Sequence, residues 1–307
     1  MSSRRFTVMA TVCALCSSNL AAQEFYGDFY NAIGNVVSVR GTKDLNVYGS
    51  IQNFGTIFVV PTRSVWAQNE FQNSGQIEFM GGPCSSVQTF TNSATGTIKG
   101  WGAIVSVGGH INNKGVIWST GGPLILYSGD PTKTGITNTG TLKNGPGTSL
   151  TVTFWHPPAP DMSNQGTVEV NAGGAVAFDC NNLSNEPGAT VKLCGGTLAA
   201  RTVIQKAGAT LEGFGTVTGN IIIDPNATVV LTGPTNIVGD VTVAKGATLE
   251  VRDGTLLVTG KVACDGTIHL RGGRMTAQHG LSGDYNVIRE SSMCTNIDFS
   301  PDGEVGP

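Results

Sequence analysis

Asn53-Phe54-Gly55-Thr56-Ile57 is answered twenty residues later by Asn73-Ser74-Gly75-Gln76-Ile77, and this pair decides the fold. Further copies are Asn113-Lys114-Gly115-Val116-Ile117, Asn138-Thr139-Gly140-Thr141-Leu142 and Asn164-Gln165-Gly166-Thr167-Val168, with Thr95-Gly96-Thr97-Ile98 as a looser one. The glycines stand at 55, 75, 96, 115, 140 and 166, so the steps are 20, 21, 19, 25 and 26. Self-similarity at such a period marks a solenoid, in which each repeat is one turn of a stacked structure.

Each copy reads as a corner followed by a short strand. Glycine accepts the positive φ expected at a tight corner, and asparagine hydrogen-bonds to nearby backbone there. The residues that follow alternate, as in Ile77-Glu78-Phe79-Met80 and Val168-Glu169-Val170, which is strand chemistry. About twenty residues hold two or three short strands and their corners, which is one coil of a β-helix. One coil cannot bury its own apolar face, whereas stacked coils bury it and pair each strand with its equivalents above and below. The expected fold is therefore all-β, a single-stranded right-handed parallel β-helix (β-solenoid) of about 20 residues per coil with capped ends. The asparagines either form a ladder from coil to coil or each close their own corner, and the corner-closing reading is the simpler.

The phrase changes in the second half to Gly188-Ala189-Thr190-Val191, Gly208-Ala209-Thr210-Leu211, Asn226-Ala227-Thr228-Val229 and Gly246-Ala247-Thr248-Leu249, with steps of 20, 18 and 20. No linker separates the halves, so one continuous domain is expected over 45–281, with looser coils to about 170 and tighter coils after it. The prolines of Trp155-His156-Pro157-Pro158-Ala159-Pro160 cannot donate to a central ladder, so this stretch is expected to bulge as a loop. Residues 23–44, rich in aromatics (Phe25, Tyr26, Phe29, Tyr30), are expected as an N-terminal cap, and residues 282–307 as a C-terminal cap and tail, with Tyr285-Asn286-Val287-Ile288 as a closing strand. The basic start Arg4-Arg5, a short apolar centre and the small residues Ala21-Ala22 read as a signal peptide over 1–22. No later stretch is apolar enough for a transmembrane segment in the mature chain, so the expected location is secreted, extracellular or cell-surface.

Only 13% of the 307 residues are charged, against a usual share of about 25%. A net charge of -3 supplies no basic field for nucleic acid. Without Cys13 and Cys16 of the leader, five of seven cysteines remain, an odd number that leaves one thiol free or paired between chains. Cys180 with Cys194, and Cys264 with Cys294, are candidate disulfides, although spacing does not fix connectivity. The four histidines have no metal-ligand spacing, so neither a metal nor another cofactor is expected.

The repeats, and above all Gly213-Phe214-Gly215-Thr216-Val217-Thr218-Gly219-Asn220 and Val238-Gly239-Asp240-Val241-Thr242-Val243, resemble the parallel β-helix repeats of secreted adhesins and autotransporter passenger regions. Fungal cell-wall adhesins with an N-terminal β-solenoid use similar phrases. The resemblance covers about residues 45–280 and implies an exported, surface-associated protein. On that basis the expected role is a structural or adhesive solenoid, and the expected partner is a polysaccharide or cell-surface component, or further copies of the chain.

The competing readings are a polysaccharide lyase or hydrolase and a carbohydrate-binding module. An enzyme needs carboxylates converging on one face. Asp161, Asp179, Asp224, Asp240 and Asp253 are the candidates, yet Asp beside a corner is usually a turn former. No catalytic residue is assigned. Trp155, His156 and Asp161 are the candidate ligand-contact residues, since a Trp, a His and a nearby carboxylate can hold a sugar ring. Trp66, Trp101, Trp118 and Trp155 are the aromatic side chains able to stack on sugars if they face outward, while Trp101 and Trp118 fill wide coils if they face inward.

Overall fold

The computed structural model describes residues 10–11, 18–20, 23–40, 44–129, 135–155, 159–290 and 297–299, the backbone alone being described at 10–11, 18–20, 23 and 297–299. Among them every regular element is a β-strand, and the solenoid fold expected from the repeats is present. The chain forms two compact units, Met1–Gly140 with Thr153–Pro157, and Thr141–Val152 with Pro158–Pro307.

In the first unit, Thr56–Val59 pairs in parallel with the start of Gln76–Ser86, which pairs with Thr97–Ser106, which pairs with Val116–Ser128. This register stacks Ile57, Ile77, Ile98 and Ile117 in one inward column, each fully buried. A second inward column runs Phe29, Ile51, Phe71, Phe90, Ile111 and Ile136. Each such side chain contributes about 1.5–3 kcal/mol by leaving water. The rings of Phe71 and Phe90 stack inside the coils at 4.8 Å. In the second unit the corresponding column is Val168, Val191, Leu211, Val229, Leu249 and Ile268. β-branched and leucine side chains suit these positions because each lies flat against its equivalent in the next coil.

The repeated asparagines form a ladder, contrary to the simpler expectation. Asn31 Nδ2 donates to Asn53 Oδ1 at 2.7 Å, Asn53 to Asn73 at 2.7 Å, Asn73 to Asn92 at 2.8 Å, Asn92 to Asn113 at 2.9 Å and Asn113 to Asn138 at 2.8 Å. The second unit has its own run, Asn164 to Asn185 at 2.8 Å and Asn185 to Gln205 at 3.0 Å. All these side chains are fully buried. Corner closing also occurs, since Asn73 Nδ2 reaches Gly75 O at 3.2 Å and Asn164 Nδ2 reaches Gly166 O at 3.1 Å. The two readings coincide because a side-chain amide has two N–H groups, one for the corner and one for the next coil. After Gln205 the same column becomes apolar as Ile223, Val243 and Cys264, all buried.

The corner glycines differ from expectation. Gly55, Gly75, Gly115 and Gly140 are absent from the positive-φ residues. A Cβ on Gly75 would instead drive into the carbonyl oxygen of Gly55 in the coil below, which excludes any side chain. Several later corners do use positive φ, as at Gly208 with φ 78°, where the added Cβ would meet only the ring of Pro187 at van der Waals distance. There the turn is one β-turn, Ala209 N donating to Lys206 O at 3.1 Å, and the buried alanine takes the inward position.

Residues 23–40, expected as a cap, contribute a coil of their own. Gln23–Phe25, Phe29–Asn31 and Val36–Val39 pair in register with Leu45–Val47, Ile51–Asn53 and Thr56–Val59. At the other end Asn286–Glu290 pairs with Thr267–Arg271, so Asn286, Val287 and Ile288 lie in the strand anticipated there. Most of the stretch 1–22, expected as a signal peptide, lies outside the described residues. Its described parts, Ala10–Thr11 and Ser18–Leu20, pair with Phe29–Asn31 and Val36–Val39.

The candidate disulfide between Cys180 and Cys194 is not formed, and both are free thiols. The register explains this. Cys194 lies across from Asn171 and Phe214, whereas Cys180 falls where the chain turns between Phe178 and Asn182, at a different corner of the coil. Burial pushes the Cys180 thiol up to about 12, with Asp161 adding to the rise, so it stays protonated and unreactive at neutral pH. Cys264 is a buried thiol, and Cys294 lies outside the described residues.

Candidate functional site

The residues singled out from the sequence fall in different units or outside the described residues. Trp155 belongs to the first unit, where its half-exposed ring packs at 5.4 Å from Tyr127, and its backbone N–H donates to Ser128 O at 3.1 Å. Asp161 belongs to the second unit and accepts a hydrogen bond from Asn182 Nδ2 at 2.9 Å. His156 lies outside the described residues.

Asp224, Asp240 and Asp253 lie at corners, whereas Asp179 stands outward on the strand Ala175–Asn185. Asp240 Oδ1 accepts from Lys261 N at 2.8 Å, one coil on, as Asp28 does from Ser50 N at 2.8 Å and Asp44 from Ser64 N at 2.8 Å. Asp224 pairs with Lys206 Nζ at 2.8 Å, and Asp253 takes a left-handed backbone with φ 46°. Such local bonding suits aspartate at turns.

Charged groups do converge elsewhere, in the second unit, on the outer face of Thr248–Arg252, Thr267–Arg271 and Asn286–Glu290. Register places His269 across from Glu250, and Glu290 across from Arg271. Glu250 pairs closely with Arg252 Nε and accepts from Arg252 Nη2 at 3.2 Å, with Arg271 Nη1 at 3.8 Å. Glu290 accepts from Arg271 Nε at 2.8 Å and lies 3.1 Å from His269 Nε2. The Arg252 guanidinium holds the Glu250 carboxyl below its ordinary range, and the Arg271 guanidinium does the same to Glu290. Both carboxylates are therefore ionised at neutral pH, and neither is held protonated as a general acid would be. Chemically this is a neutralised ion network on an outer face. Sequence reading missed it because its members come from three coils. The spacing of 19 residues from Arg252 to Arg271, from Arg271 to Glu290 and from Glu250 to His269 was the signal that could have found it.

The first unit carries the tryptophans, and they face outward. Between the buried Ile117 and Ser119, Trp118 points outward, and Trp101 is 37% exposed, so neither fills the interior. Trp101 lies over Gly81, where a side chain would collide with its ring, and close to Gly122. Tyr26 stacks on Tyr48 at 4.9 Å, and Tyr48 meets Trp66 edge-on at 5.6 Å. The outward column beside the inward isoleucines reads Phe58, Glu78, Lys99 and Trp118, four different chemistries on four coils. Among the described residues no three His, Cys, Asp or Glu side chains cluster as metal ligands, and no helix is long and apolar enough to cross a membrane.

No family model matches the chain, and no curated protein matches its sequence. Among solved structures, the chain is similar in fold to a TibC-catalysed hyper-glycosylated TibA fragment. The two are 15% identical with a TM-score of 0.50, over 88% of this chain and 98% of that one. At this identity the likeness concerns the fold.

Proposed function

We propose that the protein is a secreted or surface-associated structural and adhesive solenoid, which contacts a polymer, a surface or further copies of itself. The observation that carries this reading is the contrast between neighbouring columns. The inward column repeats isoleucine at 57, 77, 98 and 117, while the outward column changes at every coil, Phe58, Glu78, Lys99, Trp118. An invariant interior under a varied exterior is a scaffold that displays a surface. Buried amide ladders and side-chain-free corners favour rigidity over closure around a substrate. The signal-like leader supports export. The likeness to an adhesin-type repeat supports a surface role, and the hyper-glycosylation of the TibA fragment fits a solenoid exposed to modifying enzymes.

A polysaccharide lyase or hydrolase is the second reading. The observation in its favour is the grouping of Glu250, His269 and Glu290 with two arginines on one face. Both carboxylates are ionised and arginine-paired, which favours a structural network.

The test uses beads coated with the purified chain, with retention measured on cell and biofilm surfaces, alongside negative-stain electron microscopy at rising concentration. Retention or ordered filaments are expected. Discrete particles without retention, together with sugar release from a polysaccharide panel, would replace this reading by the enzymatic one.

A further inference from the structure

An open groove of about 410 Å³ lies on the first unit. Phe54 stands at one end and Trp118 at the other, and Thr56, Gln76 and Thr97 lie between them in one register column. Three coil steps separate the coil of Thr56 from that of Val116. At about 4.8 Å per step the aromatic side chains sit roughly 14 Å apart along the stack. Resting on the adhesive reading above, we propose that this groove binds a short run of a neutral glycan.

Three features select that ligand class. Aromatic side chains at both ends suit the apolar faces of sugar rings, and Phe54 is backed by Tyr30 at 5.2 Å. The hydroxyls of Thr56 and Thr97 and the amide of Gln76 both donate and accept, which matches sugar hydroxyls that do the same. The groove also carries no free charge. Its cation, Lys99, is neutralised by Glu78 at 3.4 Å, so an acidic polymer finds no counter-charge. A peptide is disfavoured for a different reason. The strands under the groove are central, with backbone groups spent on the coils above and below, and strand addition requires an edge.

The experiment is titration calorimetry of the purified full chain against three probe sets. These are neutral gluco-, manno- and chito-oligosaccharides, the acidic polymers alginate and heparin, and a proline-rich peptide. Binding of at least one neutral oligosaccharide is expected, unchanged by raised salt. Trp118→Ala should weaken it by about tenfold or more, the scale of one lost stacking face. Gln76→Ala, a milder change on the outer surface, should weaken it less, and Trp66→Ala, away from the groove, should leave it intact. Thermal unfolding of each variant checks folding, and Gln76→Ala carries the test if Trp118→Ala does not fold.

The proposal is overturned if no neutral oligosaccharide binds, if only acidic polymers or the peptide bind, or if the groove variants bind like the parent. Retention of coated beads on surfaces without neutral-glycan binding would remove this groove and leave the adhesive reading standing. Loss of both would remove both.

Discussion

The corners at Gly55, Gly75, Gly115 and Gly140 in the first unit and those at Asn226 and Gly246 in the second are made by opposite means. Around Gly55, Gly75, Gly115 and Gly140 the corner is short, the glycine is needed because the coil below leaves no room, and the inward residue before it is a laddered amide. Around Asn226 and Gly246 the corner is a longer turn with positive φ, and the column residue before it is Ile223 or Val243. One region spends polar specificity on its register, because a coil shifted by one residue strands a buried amide. The other relies on apolar packing, which is more tolerant of small adjustments.

Substitutions can break this comparison. The largest effect is expected for Gly75→Ala, whose new methyl meets backbone and cannot be relieved by a rotamer. A loss of about 3 kcal/mol is expected, against about 1–2 kcal/mol for Gly208→Ala, where only the left-handed backbone is penalised. Urea midpoints of the two variants decide the matter, and equal losses would erase the distinction. Asn92→Ala removes bonds to Gly96 O, Asn113 Oδ1 and Val116 O and strands the donor of Asn73. It should cost about 3 kcal/mol, while Ile223→Val, at the same column in the apolar region, should cost about 1 kcal/mol. Hydrogen exchange would show whether the Asn92 loss is confined to the neighbouring coils.

Ile223→Asn sharpens the contrast further. Gln205 Nε2 is buried without a partner at the point where the ladder stops, so an amide at 223 would supply the missing acceptor. This variant should be more stable than Ile223→Ala, which leaves a cavity and is expected to cost about 2–5 kcal/mol. The reverse order in thermal melts would mean that the apolar coils cannot host a ladder.

The smallest effect concerns the ion network. Glu250 and Glu290 have folded values depressed below their ordinary 4.5. Their contribution is therefore present above the unfolded value and is lost as pH falls through the folded value. The second unit should weaken on acidification below about pH 4.5. Glu250→Gln should flatten that dependence at a cost of about 1 kcal/mol near neutrality, because both arginines remain partly solvated. An unchanged acid limb in the variant would show that other carboxylates dominate.

Much of the fold was legible because the period and the alternation after each glycine are one-dimensional signals, and Ile57, Ile77, Ile98 and Ile117 declare their shared column by position alone. The role of the glycines was not. A short corner and a longer turn differ by one or two residues, and only stacking shows that Gly75 is limited by its neighbour while Gly208 is limited by its own dihedral angle. The ladder was legible as an alignment but not as a bonded chain, since the same amide can also close its corner. The candidate surfaces were the least legible. Thr56, Gln76 and Thr97, like Arg252, Arg271 and Glu290, become neighbours only through register, which the repeated isoleucines declare for the interior and nothing comparable declares for the exterior.

The amide column has a further consequence for how such a molecule changes in length. Every ladder Nδ2 from Asn31 to Asn113 points the same way along the stack, toward Asn138. A duplicated coil spliced between any two rungs would bring one acceptor and one donor and leave no orphan, provided that it carried its own asparagine. The ladder thus acts as a splice rule written in hydrogen bonds, which accepts whole coils and rejects fragments. Tandem duplication could lengthen the first unit one coil at a time without redesigning its core.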